Sequence, residues 1–506
     1  MTGNLLSENL IGTNRGPFSL PALMAAMSRG EVTSFPALRP HQRPAWHMFL
    51  VQLAVLALVH GRHRQFPEDE SAWRDILRSL TSAFPDDTPW CLVVDDHGSP
   101  AFLQPPDPGG LDWSPVVTPD ALDMIITSKN HDLKREIARQ AQPQDWIFAL
   151  VSLQTMEGFG GRGNYGIARM NGGSSSRAMI GLAPAHAGTG LVNPAAWWQR
   201  DVTRLLEKRS VERLSGLEGE ALLWTLPWPE GRMLDLRDLD QSFIEICRRV
   251  RLQDRSEGIR AIRATSKRER VNAKEFKGVT DDPWAPVHKK ELKALTLSDR
   301  DWTYDFLDKI LYSGEWKVPE LAYSAPDERA TDMILVAEAL ARGNSKTDGF
   351  RSRSIPVPKA VRERMFGSEA IDLAREQVEL IGQVDGALRD GLVLIAANGD
   401  REKLRKKKYD YTQTARASFS AIADALFFPT LWDRLAVGTR EGRNAALARF
   451  AKTLAQAARD EFVCAASGIP CARIMRPKAE TRGSAALERG IAGIFREMGL
   501  KEFEHA

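Results

Sequence analysis

Glycine is the residue type whose spacing most suggests chemistry. Eight glycines fall between residues 158 and 181, where the chain average would place about two. Such clusters arise where backbone takes positive φ or approaches a ligand with no Cβ in the way. Three readings compete for Glu157-Gly158-Phe-Gly160-Gly161-Arg-Gly163-Asn164-Tyr-Gly166. The letters fit a dinucleotide loop, but that loop follows a strand and opens a helix. Here a helix-like stretch, Trp146 to Gln154, comes first, and a strand-like Arg177-Ala-Met-Ile-Gly follows. A P-loop is excluded, because no Gly-Lys-Ser/Thr follows. A flexible surface loop is the plainest reading. The third is a backbone platform meeting phosphates or a groove, helped by Arg162, Asn164 and Arg169.

Four other segments offer polar chemistry. Between Arg248 and Lys277 there are eleven Lys or Arg against four Asp or Glu, and the run ends in Lys274-Glu-Phe-Lys277-Gly. The turn Gly343-Asn344-Ser345-Lys346-Thr347 follows an apolar run, Met333 to Leu340, that reads as a helix. Ser128-Lys129-Asn130-His131 is a further polar turn, in which His131 as a general base would need a partner. Arg401 to Lys408 carries six cations against Glu402. Solvated faces and ordinary turns also have these compositions. The 69 basic and 66 acidic side chains nearly cancel, so a nucleic-acid track would have to be local. No hydrolase elbow, kinase set or EF-hand occurs. Cys91, Cys247, Cys464 and Cys471 form no C-x-x-C pair, and no H-E-x-x-H occurs, so neither a disulfide framework nor a metal is expected. No cofactor and no enzymatic activity are expected.

The elements that must position these residues fall into two blocks. A chain of 506 residues allows about three domains, or one large irregular domain plus a smaller one. The longest apolar run, Met48 to Val59, contains Gln52 and is too short to cross a bilayer. A soluble cytoplasmic protein is expected. In the first block Ser19 can cap a helix, Trp46 to Val59 reads as a buried helix, and Trp90 to Asp95, a turn at Asp96-His97-Gly98 and Ala101 to Leu103 read as strand, turn and strand. Proline and glycine at 100–119 and 226–231 imply long loops. From Ile371 onward apolar residues recur every three or four positions, with Ser368 as cap and Asn398-Gly399 as stop. Helices follow at about 414–435, interrupted at Pro429, then around Leu447 to Phe462 and Leu487 to Met498. The fold class is therefore α+β: a large irregular mixed domain over 1–357, then a C-terminal four-helix bundle over 358–506.

In order and length these segments resemble the CasA family, the large subunit of type I-E Cascade, a CRISPR surveillance complex. The resemblance runs through Asn4-Leu-Leu, Phe18-Ser-Leu-Pro-Ala-Leu, Leu38-Arg-Pro-His-Gln-Arg43, Ala101-Phe-Leu-Gln104, Gly158-Phe-Gly-Gly161, Lys277-Gly with Asp282-Pro-Trp284, and Arg342-Gly-Asn-Ser-Lys-Thr. It implies a non-catalytic subunit that clasps double-stranded DNA at the protospacer-adjacent motif from the minor groove. The elements implied are a glycine loop (Gly158, Gly160, Gly161, with Asn164), a lysine finger (Lys274 or Lys277) and a loop bearing Asn344. Relatives place a wedge with Gln beside that Asn; here Ser345 and Lys346 follow. It also implies duplex opening, so that the guide RNA pairs, and recruitment of a helicase-nuclease. Ser128 to His131 would touch the guide RNA and a neighbouring backbone subunit. The helical block would meet the small subunit, with Arg405, Lys406, Lys407 and Lys408 along the displaced strand. A large subunit of another type I subtype, or a nucleotide-dependent enzyme using 158–166, are the rival readings.

Overall fold

The computed structural model describes residues 1–122, 141–211, 216, 218–328, 331–343 and 346–500. It divides into two compact units, Met1–Trp302 with Glu315–Pro356, and Thr303–Gly314 with Val357–Ala506. Thr303–Gly314 thus groups with the helices, although it precedes the boundary expected at 357.

The first unit mixes helices with short strands. Its helices are α1 (Leu20–Ser28), α2 (Arg43–His60), α3 (Glu70–Ser79), α4 (Pro143–Met156) and α5 (Pro194–Val211). Ser19 caps α1 as its sequence suggests, accepting from the Ala22 amide at 3.2 Å. Every residue of α2 from Pro44 to Leu58 is buried, the signature of a helix at the centre of a core, and α3, α4 and α5 pack around it. Its two buried polar side chains both have partners: His47 lies 2.9 Å from Asp201, and Gln52 donates to the carbonyls of Ser242 and Phe243 at 3.2 and 2.8 Å and accepts from Arg177 at 3.2 Å.

Nine strands frame the regions of interest: β1 (Ser114–Val116), β2 (Met179–Pro184), β3 (Arg249–Arg255), β4 (Gly258–Ala264), β5 (Val287–His288), β6 (Lys293–Ala294), β7 (Trp316–Lys317), β8 (Met333–Gly343) and β9 (Lys346–Val357). One sheet has the order β3-β4-β1, a second β6-β5-β7 and a third β9-β8-β2. The β8 strand corrects the helix expected at Met333 to Leu340. A run apolar but for one residue has no period that separates a buried strand from a buried helix, and here β8 lies between two neighbours, with Met333 opposite Pro184 and Glu338 opposite Met179. Glu338 is fully buried and paired with Arg43.

A second correction concerns the expected return strand at Ala101 to Leu103. The turn is real, since Gly98 and Ser99 donate to Asp96. Cys91–Val93, however, pairs with Thr2–Asn4, while Ala101 closes on Gln104 in an isolated bridge. Gln104 holds this corner, donating to the carbonyls of Leu92 and Phe102 and accepting from the Leu252 amide at 2.6 Å.

The second unit contains α6 (Tyr304–Leu311), α7 (Ser368–Ala396), α8 (Gln413–Ala436), α9 (Arg440–Ala466) and α10 (Arg476–Glu497). The α7 helix packs against α8, α9 and α10. Its crossing with α10 is set by two glycines: a Cβ on Gly391 would lie 2.9 Å from the Gly483 carbonyl oxygen, and one on Gly483 2.7 Å from that of Gly391. The cap of α7 is Gly367 rather than Ser368, and Asn398 and Gly399 end it at φ 58° and 75°. Pro429 does not interrupt α8. Phe427, Phe428, Leu431 and Trp432 are buried on either side of it, and the Gln377 amide donates to the Phe427 carbonyl at 3.0 Å. This packing keeps the helix continuous past the residue that lacks an N–H.

Candidate functional site

The glycine segment begins where α4 ends. Gln154 fixes that end against β3: its amide donates to the carbonyls of Leu103 and Arg248 and accepts from the amides of Cys247 and Arg248, all at 2.8–2.9 Å. The chain then folds on itself. Gly158 donates to Ser175 (3.0 Å), Phe159 to Gly173 (2.7 Å), Gly160 to Asn164 (2.8 Å) and Asn164 to Gly161 (2.9 Å). A Cβ on Gly158 would sit 2.5 Å from the Ser175 carbonyl oxygen, and one on Gly166 2.7 Å from the carbonyl carbon of Gly158. Gly158 is buried, and its missing side chain serves this internal approach. Gly160 is exposed and Gly161 partly so. Gly161 adopts φ +114°, and a Cβ there would enter open space. A Cβ on Gly160 would instead lie 3.3 Å from Arg248 and from Asn164, so the tip presents bare main chain facing open space at Gly161.

Two supports hold this tip. Arg248 donates to the Gly158 carbonyl at 2.7 Å and lies 3.5 Å from Glu157. The Tyr165 hydroxyl donates to the Lys267 carbonyl at 3.0 Å, and Ser266 donates to Gly163 at 2.9 Å. Between the loop and the β3-β4-β1 sheet lies a cavity of about 370 Å³ whose walls include Gly160, Asn164, Arg248, Arg263 and Ser114.

The lysine turn is knit to the same segment. Lys274–Phe276 form a short 3-10 turn, and Lys277 and Gly278 follow at φ 49° and 79°. A Cβ on Gly278 would lie 2.6 Å from the Met170 carbonyl carbon, so glycine is required where the turn meets the glycine segment. Ala294 of β6 donates to the Lys277 carbonyl at 3.0 Å. Lys274 and Lys277 are exposed, and neither forms an ion pair among the described residues. The turn bearing Lys274 and Lys277 thus meets, at Gly278 and Met170, the segment whose tip holds Gly160, Gly161 and Asn164.

Arg169, grouped with these residues on sequence, is not on that surface. It is 3% exposed, bonded to Glu245 at 3.2 Å and laid over Phe243 at 3.7 Å. Burial, reinforced by the nearby positive charge of Arg177, lowers its pKa to about 10. Much of the basic run shares this fate. Arg248, Arg249, Arg251 and Arg270 are all buried. Arg251 donates to carbonyls of Ser99, Pro105, Val94 and Asp96, and Arg270 to those of Pro227, Leu223 and Leu226. Burial lowers both guanidinium pKa values to about 10, so both stay charged at neutral pH. These arginines satisfy carbonyls of buried irregular chain that no sheet or helix serves. Arg177 and Asp282 form a buried bidentate pair at 2.5 and 2.7 Å, which gives Asp282-Pro-Trp284 a structural role.

The remaining expected site residues fall elsewhere. Ser128, Lys129, Asn130 and His131 lie outside the described residues, as do Asn344 and Ser345. Lys346 opens β9, and its side chain is outside the description. In the second unit Arg405, Lys406 and Lys407 are exposed, whereas Lys408 is partly buried and donates to the Ala396 carbonyl at 2.9 Å, in the manner of a cation closing a helix C-terminus. Sequence reasoning missed Arg248, Tyr165 and the cavity wall at Arg263 and Ser114. The alternation in Tyr165 and Phe159 with arginine and glycine was the one available signal. Among the described residues no group of His, Cys, Asp or Glu converges as metal ligands, and no helix is long and apolar enough to cross a membrane.

No family model matches the sequence, and no curated protein is significantly similar to it. Solved structures do share its fold. CasA (Cse1) of Thermus thermophilus is similar over 97% of this chain and 99% of its own, at TM-score 0.66 and 16% identity. Cse1 of Acidimicrobium ferrooxidans is similar over 98% and 99%, at 0.66 and 17%. Cse1 of Thermobifida fusca is similar over 99% of both chains, at 0.59 and 14%. The fold is that of a CRISPR-associated protein. More particularly, it is the Cse1 (CasA) fold, carried over nearly the whole chain.

Proposed function

We propose that this chain is the non-catalytic large subunit of a type I-E, RNA-guided Cascade complex. In this reading it recognises a short motif flanking the target in double-stranded DNA from the minor groove, begins to open the duplex and presents a surface to a helicase-nuclease. The observation that carries the proposal is the bare main chain at Gly161, in a segment that meets the turn bearing two exposed lysines, inside a Cse1 fold carried over nearly the whole chain. A minor groove offers few distinguishing donors and acceptors, so shape sensing by backbone without Cβ atoms, steadied by ammonium contacts to phosphate, suits it. Asn344, Ser345 and Lys346 supply the second reading element, Ser128 to His131 the contact to guide RNA and backbone subunit, and Arg405 to Lys407 a salt-sensitive track for the displaced strand.

The rival nucleotide-binding reading fits less well. A phosphate cradle needs free N–H groups at a helix start, whereas those of Gly158, Phe159, Gly160 and Asn164 are bonded to the segment's own carbonyls and no helix follows. The deciding experiment is co-expression with candidate partner subunits and guide RNA. Co-purification in an RNA-containing particle that selects duplexes by a short flanking motif is expected. A chain that instead stays alone and binds ATP, NAD or FAD in micromolar dialysis would replace this proposal.

A further inference from the structure

An exposed phenylalanine at the glycine tip is left unexplained by main-chain reading. Phe159 is 41% exposed, yet its backbone is pinned to Gly173 at 2.7 Å between two glycines. Its ring lies 6.2 Å from that of Tyr165, tilted by 49°, and Tyr165 is anchored through its hydroxyl to Lys267. Exposed cations are near the pair in the chain: Arg162 three residues after Phe159, and Lys267, whose carbonyl holds Tyr165, followed by Arg268. Scattered exposed apolar side chains are ordinary. This one is different because its main chain is fixed, its flanks carry no side chains and an anchored aromatic backs it. A partly exposed ring on a fixed backbone, in a segment that carries exposed cations, has the chemistry that takes a nucleobase, by stacking on the ring while phosphate is neutralised nearby.

We propose that Phe159, positioned by Tyr165, receives a base released beside the recognised motif and so helps hold the duplex open. This rests on the proposed DNA-recognition reading, and side-chain wedges that unstack minor-groove base steps give the physical precedent. The test uses the full chain assembled with its RNA and partner subunits. One duplex carries 2-aminopurine beside the motif and reports opening; a second, cross-linked there and unable to open, reports recognition alone. Phe159→Ala should slow opening by about tenfold, the order expected for one lost base–aromatic stack, while affinity for the cross-linked duplex changes less than about threefold. Phe159→Trp should open faster than Phe159→Leu, because stacking needs a π face. Opening by Phe159→Ala at the wild-type rate, equal loss of opening and cross-linked binding, or equal rates for the Trp and Leu variants would each overturn the inference while leaving the recognition reading standing. If the unmodified particle shows no motif preference on the cross-linked duplex, the recognition reading fails and this inference fails with it.

Discussion

Replacing Lys274 and Lys277 together with alanine tests the ammonium contacts through salt. Both side chains are exposed and outside any ion pair among the described residues, so their loss should change folding stability by no more than about 0.5 kcal/mol. Each phosphate neutralised contributes about 0.9 to the slope of log affinity against log salt. Losing two contacts should flatten that slope by about 1.8. Between 50 and 200 mM salt the affinity gap between wild type and double variant should therefore shrink about twelvefold. Fluorescence anisotropy with a motif-bearing duplex and the assembled particle measures both slopes. Parallel slopes, whatever the absolute affinities, would refute the assignment of these lysines to phosphate.

Two further predictions concern the framework. Arg177→Met leaves Asp282 buried without its bidentate partner, and should cost the first unit about 3–5 kcal/mol, read by chemical denaturation; a loss under about 1 kcal/mol would show that the pair is dispensable. In the second unit, burial and then the neighbouring Asp305 raise the Asp308 carboxyl to about 6 from 3.8. The folded state holds that proton more tightly than the unfolded chain, so the group's contribution to stability is full below about pH 4 and is lost as pH rises through about 6. Asp308→Asn should therefore gain about 1–2 kcal/mol at pH 7, once partial exposure is discounted, and little at pH 4. Melting curves across that range check it, and an equal gain at both ends would contradict the assignment.

Patterns with a period were legible. The α7 helix and the Ser19 cap follow from apolar spacing and one hydroxyl, whereas α2 follows from the length of its apolar run. Where period was absent the reading failed: Met333 to Leu340 reads as a helix from its apolar content, and pairing with β2 and β9 makes it a strand. The glycine cluster marked the correct segment but could not separate Gly158, needed inside, from Gly161, open to solvent, because that difference depends on Ser175 and Gly173 folding back. Charge misled most. The basic run suggested a surface track, yet Arg248, Arg249, Arg251 and Arg270 point inward to carbonyls of long loops. The prolines and glycines that predicted those loops implied unserved carbonyls as well, a demand visible in composition although its suppliers were not.

The most direct measurement is motif discrimination by particles carrying Gly161→Ala, where the new methyl would project into open space at the tip. Alanine at φ +114° carries local strain of roughly 1–3 kcal/mol, so Gly188→Ala, also at positive φ facing open space, serves as the strain control. The affinity ratio between permitted and forbidden flanking motifs should fall by about tenfold or more for Gly161→Ala and stay unchanged for the control. An undiminished ratio in a correctly assembled Gly161→Ala particle would contradict this expectation.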